Sequence, residues 1–320
     1  MTSRIVGTGH CVPETVITND DLSKIVDTND EWISSRTGIK SRRIVKEENT
    51  SYMAYMAAKQ ALDNANILPE DIDLIIVATS TPDTIFPNTA CCVQGLLNNK
   101  KAVCFDLNAA CSGFIYALNV AHSHIVAKMA KKALVIGSEC MSKVINWKDR
   151  GTCVLFGDGA GAVVIEESKE GFIHTVVGSD GSKGEAIICD GHSNSYFEGE
   201  KEKKHPFTEM NGQEVFRFAV KKVPESIGQL LEKSNTLIEE IDWYILHQAN
   251  ERIISSVSKR LGVPMEKFPI NLEQYGNTSA ASVPILLDEM NRNGMLKKGD
   301  KIVISGFGAG LTWGTSLLIW

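Results

Sequence analysis

A layered α/β fold built from two copies of one module is what this sequence predicts. Three observations carry that prediction. The chain has 320 residues and is 43% hydrophobic, enough for two modules around a shared core. Short β-branched runs alternate with longer helical stretches, the pattern of α/β proteins. The wording also repeats. Glu70-Asp71-Ile72-Asp73-Leu74 resembles Glu239-Glu240-Ile241-Asp242-Trp243, and Lys132-Ala133-Leu134-Val135-Ile136 resembles Asp300-Lys301-Ile302-Val303-Ile304, at offsets of 169 and 168 residues.

In chain order, Ile5-Val6-Gly7-Thr8-Gly9 reads as a first strand. Strands are predicted over 74–78, 102–105, 133–136 and 162–165, and again over 243–246, 268–271, 301–304 and 315–319. Helices are predicted over 51–65, 114–130, 215–234 and 281–293. The halves divide near residue 170, giving modules 1–170 and 171–320. The charge-dense stretch 191–205 reads as an exposed loop near their junction. Two such halves facing each other bring the carboxyl ends of their strands to one central site, where open α/β sheets place ligands.

Composition narrows the function. A net charge of -6 gives no sign of nucleic-acid binding. No apolar run approaches the ~20 residues that span a bilayer. Eight cysteines without a C-x-x-C pair fit reduced thiols in a cytoplasmic protein, and the N-terminus reads as a strand, not a signal segment. Gly157-Asp158-Gly159-Ala160-Gly161 precedes a strand and not a helix, so it reads as a tight turn and not a dinucleotide site. Neither a Walker pattern nor a metal constellation appears, and no cofactor is expected.

Three segments carry chemistry. Ala109-Ala110-Cys111-Ser112-Gly113-Phe114 places a thiol where a strand gives way to an apolar helix. A thiol at a helix N-terminus feels the positive end of the dipole, which favours thiolate. Its small neighbours leave room for an acyl group and a backbone oxyanion hole. Most cysteines are simply small buried hydrophobes, but Cys111 reads as a nucleophile. His247-Gln248-Ala249-Asn250 and Gly276-Asn277-Thr278-Ser279-Ala280-Ala281-Ser282 add an imidazole and a carboxamide. Neutral imidazole and carboxamide both donate to a developing enolate oxygen, which suits decarboxylation of a malonyl thioester. Gly306-Phe307-Gly308-Ala309-Gly310 follows a strand and can bring backbone N–H groups close to a substrate.

These segments, with Trp32-Ile33-Ser34-Ser35-Arg36-Thr37-Gly38-Ile39, Arg150-Gly151-Thr152 and Phe156-Gly157-Asp158-Gly159-Ala160-Gly161-Ala162, resemble the β-ketoacyl-acyl carrier protein synthase III family over essentially the whole chain. The resemblance implies the thiolase fold, a duplicated α/β module with a five-layered α/β/α/β/α core, as a homodimer. It implies acyl-CoA and malonyl-acyl carrier protein as substrates. Cys111 matches the acyl-accepting nucleophile, His247 and Asn277 the decarboxylation pair, and the N–H groups of Cys111 and Ala309 the oxyanion hole. Trp32 and Arg150 match the residues that hold the CoA adenine, with Arg36 near its phosphates; Asn250 and Gly212 match tunnel residues. Phe86 matches a residue reaching into the partner's acyl pocket, and Phe156, Phe307 and Phe207 are expected to line the substrate site. Arg252, Lys259 and Arg260, with Arg217, Lys221 and Lys222, match a patch that docks the acidic carrier. Ala309 departs from the glycine of many members, but alanine also supplies a backbone N–H.

A related condensing enzyme of secondary metabolism stays open as an alternative. Hydroxymethylglutaryl-CoA synthase lacks its catalytic carboxylate motif here, and a thiolase would offer a second cysteine as base. A silent acyl-CoA-binding protein would bind without covalent transfer to Cys111, and a cysteine hydrolase would release free acid without malonate. Primer chain length and branching depend on pocket shape.

Overall fold

The computed structural model describes residues 1–191 and 204–320, with the backbone of two short strands, Ser195–Tyr196 and Gly199–Glu200. Apart from its ends and those strands, the predicted exposed loop 191–205 lies outside the described residues.

Two sheets with matching strand order form the frame. The first contains β1 (Thr2–Cys11), β2 (Leu74–Ala78), β3 (Val103–Leu107), β4 (Lys132–Cys140) and β5 (Asp158–Ser168), in the order β1-β5-β4-β2-β3. The second contains β6 (Phe172–Ser179), β7 (Trp243–Leu246), β8 (Lys301–Gly308) and β9 (Thr312–Ile319), in the order β7-β8-β9-β6. In the first sheet β2 runs parallel to β3 and β4, and β5 runs antiparallel to β4 and β1. The second repeats the scheme: β7 is parallel to β8, and β9 is antiparallel to β8 and β6.

Helices fill the spaces above, between and below. α1 (Asp30–Thr37) caps the site and is described below. α2 (Thr50–Ala65) begins where the Asn49 side chain accepts the Tyr52 N–H and ends at left-handed Asn66. Its buried residues, Met53, Ala54, Ala57, Ala58, Ala61 and Leu62, recur at helical spacing and pack on the outer face of the first sheet. α3 (Gly113–Val126) and α6 (Ser282–Arg292) lie between the sheets, where Phe114, Leu118, Val283 and Leu286 join Ile76 and Val135 of one sheet with Ile245 and Ile304 of the other. α4 (Gly212–Ser234) and α5 (Glu251–Leu261) cover the outer face of the second sheet. The five layers are therefore helix, sheet, helix pair, sheet, helix. Among the described residues no helix is long and apolar enough to cross a membrane.

Three sequence expectations are corrected. The strand predicted over 268–271 does not form, so the second sheet has four strands to the first sheet's five. Its backbone donors are missing or engaged elsewhere: the Phe268 N–H donates to Met265 O, Pro269 has no N–H, and the Asn271 N–H donates to Gln248 Oε1 at 3.1 Å. The glycine run from Gly157 to Gly161 is not a tight turn: from Asp158 onward it is the start of β5. It lies under α6 so closely that a Cβ on Gly161 would sit 2.5 Å from Ile285 N. The helix predicted to reach residue 130 stops at Val126, before Lys128 turns to φ 63°.

Candidate active site

The strands β4 and β8 run beyond their predicted ends, to Cys140 and Gly308, and β8 carries Phe307 and Gly308 into a cavity of about 810 Å³ between the halves. Cys111, His247 and Asn277 all line it.

Cys111 sits on a 3-10 turn, Ala110–Ser112, that joins β3 to α3. Ala110 holds φ at 46°, a left-handed conformation that turns the chain sharply before the helix. Gly308 lies flush against the cysteine: an added Cβ there would come within 2.8 Å of Cys111 Cβ and 3.0 Å of Sγ. Ala309 follows on the same wall. The expectation of a ready thiolate is corrected. Burial pushes the Cys111 thiol up to about 11, the nearby Glu139 charge adds to the rise, and the Ser279 hydroxyl opposes it. Desolvation is the largest of these effects.

His247 follows β7, with its N–H donating to Ser305 O at 2.7 Å. Its Nδ1 meets Ser282 Oγ at 2.7 Å, and its ring stands edge-on to Phe307, 5.1 Å between centroids. Burial pushes the imidazole down to about 3, so the ring is neutral. Asn277 is fixed through its backbone: its N–H donates to Leu155 O at 2.8 Å, and its O accepts the Gly157 N–H at 3.0 Å. Its side-chain Oδ1 accepts the Ser279 N–H at 2.8 Å, leaving Nδ2 for the cavity.

At the mouth, two guanidinium groups approach the Trp32 ring of α1, Arg36 at 5.0 Å and Arg150 at 4.9 Å from its centroid. Arg150 is anchored by donating to Asp27 O at 2.8 Å. Asn250 caps α5 by accepting the Arg252 N–H, and its Nδ2 donates to Arg36 O at 3.1 Å. Arg252 in turn donates from Nε and Nη2 to Ser35 O, at 3.1 and 2.7 Å. Trp32, Arg36 and Asn250 thus form one hydrogen-bonded and stacked rim. Gly212, Phe156 and Phe307 line the interior, together with Met141, Val144 and Phe216.

Not every predicted residue arrives there. Phe207 is 42% exposed and outside the cavity wall, since it lies before α4 on the surface. Phe86 is 83% exposed and also lies outside this chain's own cavity. Lys259 and Arg260 occupy the last turn of α5. Arg217, Lys221 and Lys222 line a separate, smaller cavity with Trp313. The sequence reading missed Glu139 and gave no role to Ser279 or Ser282. An acidic residue closing the apolar run 133–138 was the one available signal for Glu139.

Residues 105–181 match the family model for 3-oxoacyl-[acyl-carrier-protein] synthase III, and residues 231–320 match the model for its C-terminal part. The beta-ketoacyl-[acyl-carrier-protein] synthase III of Clostridium acetobutylicum is 54% identical over 318 residues, 99% of this chain and 98% of the relative. The chain belongs to the β-ketoacyl-acyl carrier protein synthase III family. Among solved structures, the 3-oxoacyl-[acyl-carrier-protein] synthase III of Aquifex aeolicus superposes with a TM-score of 0.93 at 48% identity, covering 99% of this chain and 100% of that one. The priming β-ketosynthase of the R1128 polyketide pathway superposes at 0.92 with 35% identity, covering 99% and 96%. The protein therefore has the thiolase fold of this family and is a condensing acyltransferase.

Proposed function

We propose that this synthase primes type II fatty acid synthesis by joining an acyl-CoA to malonyl-acyl carrier protein, with loss of CoA and CO2. The observation that carries this reading is the meeting of a thiol, a neutral imidazole and a carboxamide on one cavity wall. The cycle is ping-pong. Acyl-CoA enters past Trp32, whose indole face stacks the adenine beside Arg150, with Arg36 toward the phosphates. Cys111 attacks the thioester carbonyl, and the N–H groups of Cys111 and Ala309 hold the oxyanion. CoA leaves, and the malonyl carrier takes the same path past Asn250 and Gly212.

Loss of CO2 builds negative charge on the thioester oxygen. With the Ser282 hydroxyl donating to Nδ1, His247 carries its proton on Nε2 and donates it as a hydrogen bond, alongside Asn277 Nδ2. The enolate carbon then attacks the acyl-cysteine, and 3-oxoacyl-acyl carrier protein departs. No metal, flavin or nicotinamide takes part. Arg252, Lys259, Arg260 and Arg217 supply a basic approach for the acidic carrier. The exposed Phe86 ring fits burial in a homodimer, reaching the partner's acyl pocket.

The test is turnover of radiolabelled malonyl-acyl carrier protein with a panel of acyl-CoA primers, beside Cys111→Ala. Product from the wild type alone supports the assignment and ranks the primers. Acyl-cysteine without product means another extender, as the secondary-metabolism alternative requires. Absence of acylation from every primer overturns the nucleophile.

A further inference from the structure

The two N–H groups given to the oxyanion belong to opposite halves, so their spacing depends on contacts between segments distant in the chain. Cys111 lies on the turn between β3 and α3, and Ala309 on the turn between β8 and β9. One side chain touches both turns. Thr312, the first residue of β9, sits opposite Gly308 in the sheet. Its Oγ1 lies 2.9 Å from Ala309 O, 3.1 Å from Ala109 O and 3.0 Å from Ser112 Oγ. A hydroxyl donates one proton and accepts at its lone pairs, so Thr312 can donate to a carbonyl of either turn while accepting from Ser112. Ala109 and Ser112 flank left-handed Ala110 and Cys111, and the Ser112 N–H closes that turn onto Ala109 O at 3.1 Å. The turn is thus held both before and after the thiol. Ser112 is fully buried, where its hydroxyl needs a partner. Cys111, Gly308, Ala309 and Gly310 line the cavity, whereas Thr312 lies outside its lining.

We propose that Thr312 is a positioning residue for acylation. Through its hydroxyl it sets the spacing between the Cys111 and Ala309 N–H groups, so that both reach the one oxygen on which charge develops. Oxyanion donors work only at hydrogen-bond distance from that oxygen, and a displacement of about 1 Å costs on the order of 100-fold. Valine at this position fills nearly the same volume but bonds to neither carbonyl, and it leaves the buried Ser112 hydroxyl without this partner. The other half-reaction is braced elsewhere. The bonds that fix His247 and Asn277 run to Ser305, Ser282, Leu155, Gly157 and Ser279. Decarboxylation is therefore independent of the Thr312 hydroxyl.

This inference rests on the acyl-cysteine reading above, and its test separates the two. Single-turnover acylation of Cys111 by acetyl-CoA and by isobutyryl-CoA is followed by intact-protein mass spectrometry in the wild type, Thr312→Val and Thr312→Ser. Decarboxylation of malonyl-acyl carrier protein is measured on the same preparations. The brace predicts that acylation of Thr312→Val at saturating acyl-CoA is slower by roughly 30-fold, with the half-saturating concentration near the wild-type value. Thr312→Ser, which keeps the hydroxyl, recovers most of the rate, and decarboxylation stays near the wild-type rate in both variants. Wild-type acylation in Thr312→Val overturns the brace. Equal losses in the valine and serine variants also overturn it, because the hydroxyl is then not what matters. So does a parallel fall of both half-reactions, which marks a general disturbance of the fold. Should Thr312→Val fail to fold, wild-type acylation in Thr312→Ala overturns it equally. No acylation in the wild type sinks the acyl-cysteine reading, and the brace falls with it.

Discussion

The turn carrying Cys111 and the turn following Asn277 have one backbone and two chemistries. Ala110–Ser112 and Ser279–Ala281 are both 3-10 turns leading into a helix of the central layer. Each begins with a left-handed residue, Ala110 at φ 46° and Ser279 at φ 51°, 169 positions apart. Each packs on a glycine of the other half: an added Cβ on Gly306 would lie 3.0 Å from Cys111 O, and one on Gly137 only 2.3 Å from Ala280 O. Two residues further along those strands the halves part. β8 has Gly308, which leaves the thiol its space, and β4 has Glu139, which binds Ser279. The fold thus supplies the same scaffold twice, and side chains at matching positions divide the labour between the proposed nucleophile and its support.

The sharpest way to break that comparison is to separate the half-reactions. Cys111→Ala is expected to lower acyl transfer by about 1000-fold or more while malonyl decarboxylation persists. Asn277→Ala or His247→Ala is expected to cut decarboxylation by about 100-fold or more while Cys111 still becomes acylated. Carbon dioxide release and intact mass report the two events separately, and parallel losses would contradict the division. Next in size is the packing of each turn. Gly137→Ala meets backbone atoms that cannot yield and is expected to cost about 3 kcal/mol or more, against roughly 1 kcal/mol for Gly306→Ala. Denaturant titration of the two variants measures the difference.

A smaller effect belongs to the rim. Trp32→Ala is expected to raise KM for acyl-CoA about tenfold by removing the ring that Arg36 and Arg150 approach. KM for the malonyl carrier, which has no adenine, stays near the wild-type value in the same steady-state assay. The smallest expected effect is none at all. The folded pKa of His247 is depressed to about 3 by burial, below the ordinary 6.5, so the ring is neutral throughout the working range. Decarboxylation by Cys111→Ala should then show no inflection near pH 6.5. The same depression makes His247 favour the folded state fully above about pH 6.5. That contribution is lost as pH falls from there toward 3, because the unfolded chain takes up the proton first. A titration of rate against pH with an inflection near 6.5 would contradict a buried neutral ring.

Much of this was legible in the residues. The strand positions 74–78 and 243–246 are short enough, and apolar enough, to be read without ambiguity, and both form as predicted. The segment 268–271, Phe-Pro-Ile-Asn, carries a proline without an N–H, and the Phe268 and Asn271 N–H groups are taken by a local turn and by Gln248, a distant partner that local pattern does not encode. Phe207 and Phe156 look equally suited to a pocket wall; only packing separates the exposed ring from the buried one. The carboxyl of Glu139 lies 140 residues from the serine it binds, so local pattern could not connect them.

By itself the sequence determined the repeated α/β order, the family and the three polar side chains that meet in the cavity, because periodicity and motif spacing are local properties of the chain. Tertiary structure decided the state of those side chains. Burial between two sheets turned a helix-end cysteine into a protonated thiol and a histidine into a neutral donor. It also set the Glu139 carboxylate against the Ser279 hydroxyl, since desolvation and contact exist only when distant segments meet.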